Sequence, residues 1–120
     1  MTREDAKLVL KDLCSRLPYG VMALTEKGKG RICDINLTIF GAKIGININP
    51  TVRDTFSIDD VKPYLFPLST ISNRTLETLD EWSDSKTSHV TIEFFNSHHI
   101  DYRGLIEKGL AIDATRLNIY

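Results

Sequence analysis

At 120 residues, 42% apolar and 26% charged, the chain suits a single globular domain spanning 1–120, able to bury about two-thirds of the surface its unfolded form exposes. The formal net charge of −1, from 15 Lys and Arg against 16 Asp and Glu, shows no basic excess and argues against a nucleic-acid partner. No apolar tract reaches the roughly 18 residues of a membrane span, and the start Met1-Thr2-Arg3-Glu4-Asp5 lacks the basic and apolar regions of a secretory leader, so a cytoplasmic protein without a membrane partner is expected.

Residues 3–16 read as the first helix, because Ala6, Val9, Leu10, Leu13 and Leu17 fall on one stripe at helical spacing. Thr2 is placed as its N-cap, and Asp5 three residues on resembles a capping box with the shorter acid. Pro18 stops the helix and turns Leu17 away from helical geometry.

From Tyr19 the pattern becomes that of strands. Val21–Glu26 and Arg31–Phe40 flank Lys27-Gly28-Lys29-Gly30, a hairpin whose two glycines supply positive φ. Gly41 marks a second turn. Ala42–Asn49 alternates Ile44, Ile46 and Ile48 with Gly45, Asn47 and Asn49, the period of a strand with one buried face. Asn49-Pro50 ends it, and a further strand is expected over 54–58. Four or five short sequential strands over about 20–58 make a small curled antiparallel sheet, expected to close partly as an SH3-like barrel because closure removes exposed edges.

Pro63 and Pro67 argue against a central strand over 61–68 and for an extended connector. The helical half then runs over about 72–109. Ser72 is placed as an N-cap, with Ile71 and Leu76 as a hydrophobic staple and Leu79 and Trp82 inward; 84–88 is a polar loop. Residues 89–99 are ambiguous by period alone, since Val90, Ile92 and Phe94 alternate as in a strand while Ile92, Phe95 and His99 are spaced as in a helix. Asp101 can cap a short helix over 102–108 that Gly109 would close in left-handed geometry. An extended docked tail, 110–120, follows.

Chemistry-bearing residues concentrate at His98-His99-Ile100-Asp101-Tyr102-Arg103. Neighbouring residues on a helix diverge by about 100°, so His98 and His99 do not easily hold one ion from a single helix, although His89, nine residues upstream, could contribute a third ligand. Asp101 is better explained as a cap, with one histidine packed and the other facing solvent, and Arg103 pairing with Asp101 or Glu107. The patch His98, His99, Asp101, Tyr102 and Arg103 is thus a candidate for partner contact, with no catalytic residue, metal ligand or cofactor assigned; a metal-assisted or acid–base enzyme using His98, His99 and Asp101 is the competing reading. Cys14 and Cys33, with no CxxC spacing and no base motif, are expected as buried reduced thiols. Lys27-Gly28-Lys29-Gly30-Arg31 lacks phosphate-loop spacing and reads as a solvated hairpin tip. With Lys43 its cations would give a weak nucleic-acid-binding barrel only if they formed one stripe.

Three stretches, Leu13–Val21, Val61–Ser69 and Asn96–Ala111, together resemble a group of short proteins of unassigned function encoded by gut Bacteroidetes, often in prophage-like or mobile regions. The resemblance spans most of the chain, implies helix before His98, and carries over no catalytic residue. The expectation is an α+β fold with an N-terminal helix, a curled antiparallel sheet and short C-terminal helices, serving as a non-enzymatic protein-binding or adaptor module of phage or mobile-element origin.

Overall fold

A computed structural model describes residues 2–39, 41–49, 52–71 and 89–120. The first helix, α1, is Arg3–Arg16. The Thr2 hydroxyl accepts the Asp5 backbone N–H at 3.0 Å, and Glu4 and Asp5 in the first turn oppose Arg16 in the last, the polarity a helix dipole favours. Val9 and Leu13 are wholly buried, with Ala6 and Leu10 packed beside them. Leu17, however, keeps helical angles (φ −51°, ψ −44°), because Pro18 stands in the first turn of a 3₁₀ segment, Leu17–Tyr19, where no N–H is required of it. The reversal is made instead by Gly20, left-handed at φ 69°.

Four strands follow as an antiparallel meander: β1 Met22–Thr25, β2 Gly28–Thr38, β3 Gly41–Asn49 and β4 Val52–Ser57. The first turn is tighter than the sequence suggests. Thr25 pairs with Gly28, so Glu26 and Lys27 form the tip, and of the two glycines only Gly28 takes a positive φ, 116°. Gly30 lies inside β2, where a Cβ would sit 2.7 Å from Ile46 Cγ2; glycine here lets β3 close against the ladder. A bulge between Ile32 and Asp34 interrupts the β2–β3 register at Cys33. Ile44 and Ile46 are fully buried and Ile48 half-buried, as the alternation requires. β4 starts earlier than the expected 54–58, and Ile58 begins a 3₁₀ turn to Asp60.

The segment expected to be a connector is a strand, β5 Lys62–Pro67, that pairs antiparallel with β1 and parallel with β6 (Ile100–Asp101) and β7 (Ile112–Asp113). Both prolines are tolerated because each pairing is short. Pro63 faces Ala23 in a β1 ladder of two residue pairs, and Tyr64 O on the next residue points into the gap towards Met22 N, so the Pro63 nitrogen points away from β1 and no bond is lost there. The sheet order is β4-β3-β2-β1-β5-β6, with β7 also on β5. It is mostly antiparallel and open: among the described residues β4 pairs with β3 alone and does not close onto β5, β6 or β7 as an SH3-like barrel would.

The second described helix, α2, is His89–Ser97, the helical alternative for that stretch. The expected helix over 72–83 and the loop over 84–88 lie outside the described residues. Residues 102–108 do not form the expected helix. A single turn, 105–109, closes with Leu110 N–H donating to Leu105 O at 2.9 Å and Gly109 N–H to Ile106 O at 3.1 Å, Gly109 standing at φ 73°. This is the terminus of a helix without its body, sealed by buried Leu105 and Leu110. The core lies between α1 and the inner sheet face, where Val9 and Leu13 join Val21, Ile32, Ile44, Ile46, Phe56 and Leu65. Neither cysteine belongs to it. Cys14 and Cys33 are free and exposed, not buried, Cys14 on the outer side of α1 and Cys33 at the bulge.

Candidate functional site

Two places gather charge: a knot where α1 meets residues 95–106, and the outer face of the sheet. In the knot Asp12 and Arg16, one turn apart on α1, are both wholly buried. Arg16 Nε donates to Asp12 Oδ2 at 2.8 Å and Arg16 Nη2 to Ile100 O at 2.6 Å. Arg103 Nη1 donates to the other Asp12 oxygen at 2.7 Å, and Arg103 Nη2 to Ser15 Oγ at 3.3 Å. Its partner is therefore Asp12, 91 positions away, not Asp101 or Glu107. The Tyr102 ring lies 5.3 Å from the Arg16 guanidinium carbon and 4.5 Å from that of Arg103, stacks on Phe95, and donates its hydroxyl to Asn96 Oδ1 at 3.0 Å. Asp101 takes the N–H groups of Leu105 and Ile106, each at 2.9 Å. The capping chemistry expected of it holds, applied to one turn instead of a helix.

The two histidines part company. His98 is exposed, stacks on Phe94 with centroids 4.2 Å apart, and holds Nδ1 3.0 Å from Phe94 O. His99 is buried, takes the left-handed φ of 60° that ends α2, and stacks on Tyr120 at 3.7 Å. Its buried Nδ1 has no hydrogen-bond partner among the described residues. Burial, then the nearby positive charges of Arg16, His98 and Arg31, push its pKa from 6.5 down to about 4. The Tyr120 hydroxyl accepts Met22 N–H and donates to Tyr64 O, both at 2.8 Å, filling the gap where β1 and β5 diverge. Burial raises its pKa to about 12, so the phenol stays protonated and able to donate.

A cleft of about 320 Å³ opens beside the knot, lined by Leu68, Asp101, Tyr102, Ile106 and Glu107 among others. Both Asp101 oxygens there already accept backbone N–H groups, from Leu105 and Ile106. Among the described residues no three His, Cys, Asp or Glu side chains stand together as metal ligands.

The outer sheet face is the opposite case. Cross-strand partners in antiparallel pairs share a face, and the register aligns them in rows. Lys62, Leu24 and Lys29 form the first; Met22, Arg31, Asn47 and Arg53 the second; Asp34, Gly45 and Thr55 the third; Asn36, Lys43 and Ser57 the fourth. Lys29, Arg31, Lys43, Arg53 and Lys62 are all exposed. Asp34 is the only acid in these rows. It accepts Arg53 Nε at 2.8 Å and Arg53 Nη2 as well, and the pair lies flat because Gly45 beneath has no Cβ, which would come 2.6 Å from Arg53 Nη2. Among the described residues no carboxylate pairs with Lys29, Arg31, Lys43 or Lys62. Lys27 is not part of this face. It reaches Asp54 at 2.5 Å; that hydrogen bond raises the Lys27 pKa and, with the Thr55 N–H, lowers that of Asp54.

The patch expected from sequence, His98, His99, Asp101, Tyr102 and Arg103, is thus brought near α1 and largely closed by internal partners, whereas Arg53 and Lys62, which no local pattern singles out, join the cationic face. Their signal is visible only through register: Lys29 and Arg31 precede the bulge and Asp34 and Asn36 follow it, so a strict alternation along β2 assigns half the strand to the wrong face. No family model, no curated protein and no solved structure matches this chain.

Proposed function

We propose that the protein is a non-catalytic binding module whose working surface is the outer face of the sheet and whose partner is anionic. The observation that carries this reading is the row alignment that leaves Lys29, Arg31, Lys43 and Lys62 exposed on one face, with its one carboxylate, Asp34, already neutralised by Arg53. A protein of net charge −1 thereby presents a locally positive field, which draws and orients an anion at rates the overall charge does not suggest. The ionisable side chains of 98–103 support the same division of labour. Asp101 and Arg103 are saturated by N–H groups and by Asp12, the two imidazoles stack on different rings, and the Ser97 hydroxyl, 3.1 Å from His98 Nδ1, donates to Phe94 O and lies outside the lining of the cleft.

Fluorescence anisotropy with a labelled heparin fragment tests the reading. Binding is expected at low salt, weakening as salt is added, with at least a tenfold loss in the Lys29→Glu, Arg31→Glu double variant. Equal binding by the double variant, or none by the native protein at low salt, overturns it.

A further inference from the structure

We infer that the anion taken by this face is the backbone of a single-stranded nucleic acid. The inference rests on the cationic-surface reading above and adds the class of partner. Three features of the face select it.

The first is breadth. From Lys62 on β5 to Arg53 on β4 the face crosses β1, β2 and β3, four inter-strand spacings or about 19 Å. A B-form major groove is about 12 Å wide and admits one helix or a two-stranded ribbon, so a sheet of this breadth cannot enter the groove and would meet a duplex only through its backbone. A flexible single strand can lie across it.

The second is the alternation of cation with apolar surface. Leu24, 39% exposed, is flanked by Lys29 and Lys62 as direct cross-strand partners, and half-buried Met22 by Arg31. Bases freed from a duplex offer flat apolar faces next to charged phosphates, matching a row that reads cation, leucine, cation. A purely acidic chain such as polyglutamate would find the charges but has no flat apolar face to set on Leu24.

The third is the polar filling. Asn36, Asn47, Thr55 and Ser57 stand between the cations, giving neutral donors and acceptors for base edges and sugar hydroxyls. Lys29 and Arg31, two residues apart on β2, stand about 6.6 Å apart along the strand, and Lys43 lies about 13 Å from the Asn47 row along β3. Phosphates can thus be held at both ends of the face, with Lys62, Lys29 and Arg31 at one and Lys43 at the other. No aromatic side chain falls in these four rows, so stacking is supplied by aliphatic surface and affinity rests mainly on the phosphates.

The test is an anisotropy titration of the whole chain with four labelled probes: an oligothymidylate and an oligouridylate of about 12 nucleotides, a duplex of the same length, and polyglutamate. The single strands are expected to bind at least tenfold more tightly than duplex or polyglutamate. With four free cations engaged, the logarithm of affinity should fall against the logarithm of salt with a slope of about −3, a loss of about fiftyfold between 50 and 200 mM. Lys29→Glu with Arg31→Glu should at least halve that slope. Leu24→Ser, at an exposed position, should weaken the single strands severalfold without altering the slope or heparin binding, and its circular dichroism should match the native protein. A preference between the two oligonucleotides identifies the sugar recognised, and either preference supports the inference. Duplex or polyglutamate binding as tightly as the single strands, or an unchanged affinity in Leu24→Ser, overturns it while the cationic-surface reading stands. Failure to bind heparin as well removes both.

Discussion

The knot and the sheet face are built from the same kinds of residue and put them to opposite uses. Asp12, Arg16, Tyr102 and Arg103 take charge out of water and close it on itself; Lys29, Arg31, Lys43 and Lys62 leave it in water without a counter-charge among the described residues. The difference follows from dielectric. A buried ion lacking a partner is intolerable, whereas a solvated one costs little to leave open. A crowded run of ionisable residues in a sequence is therefore weak testimony to reactivity, and cations scattered over four strands can still make a surface.

The sharpest way to break the comparison is to remove the carboxylate at the centre of the knot. Asp12→Ala leaves Arg16 with the backbone carbonyls of Ile100 and Phe95 and Arg103 with Ser15, but no anion for either guanidinium. Breaking a buried pair this way costs about 3–5 kcal/mol, a large share of the stability of a small protein. Urea unfolding should show a correspondingly lower midpoint, and a loss under about 1 kcal/mol would mean the knot is wetter than its burial indicates.

A second, smaller effect separates the regions by pH. His99 titrates at about 4 in the folded protein against an ordinary 6.5, so the unfolded chain takes the proton first. The contribution of neutral His99 is therefore complete above about pH 6.5 and is lost as the pH falls from there to about 4, amounting to about 3 kcal/mol at most. Replacing it by Asn, which tolerates left-handed geometry and does not titrate there, should flatten the stability profile between pH 6.5 and 4 relative to the native chain. A native profile parallel to that of His99→Asn over this window would show that the imidazole is solvated. Tyr120 is the element to watch, since its ring covers His99 while its hydroxyl joins β1 to β5.

Much of the frame is legible along the chain because its causes are local. The stripe Ala6, Val9, Leu10, Leu13 reports α1, and the alternation of Ile44, Ile46 and Ile48 reports β3, since each pattern is the imprint of one buried face. What misleads is whatever depends on a distant partner. β5 carries two prolines yet is a strand, because its ladders to β1, β6 and β7 are two residue pairs each. Short sequential strands and the gain from removing exposed edges suggest a barrel, but closure needs an edge to meet an edge, and β4 finds none among the described residues. Residues 102–108 hold helix-ending signals, Asp101 and Gly109, around too few residues to form a helix, and they make one turn. Arg103 has acids beside it in sequence, Asp101 and Glu107, but its partner is Asp12, 91 positions away, which leaves no trace in the local pattern. The histidine cluster draws the eye by density, but the cationic face arises from register, and a single bulge at Cys33 decides which side chains join it.

The mildest change sharpens the comparison most. Lys29→Glu with Arg31→Glu touches side chains that are exposed and, among the described residues, without an ion-pair partner, so the unfolding free energy from urea titration should shift by no more than about 0.5 kcal/mol while anion binding falls at least tenfold. Such a split between stability and binding is what a surface kept for a partner produces, and Asp12→Ala should produce its mirror image, stability falling while the binding of the fraction still folded keeps its salt slope. Should the reversal instead destabilise the fold as far as loss of Asp12 does, the charges of the face would have to be engaged internally, and the distinction between closed and open charge would fail at the point where it matters for function.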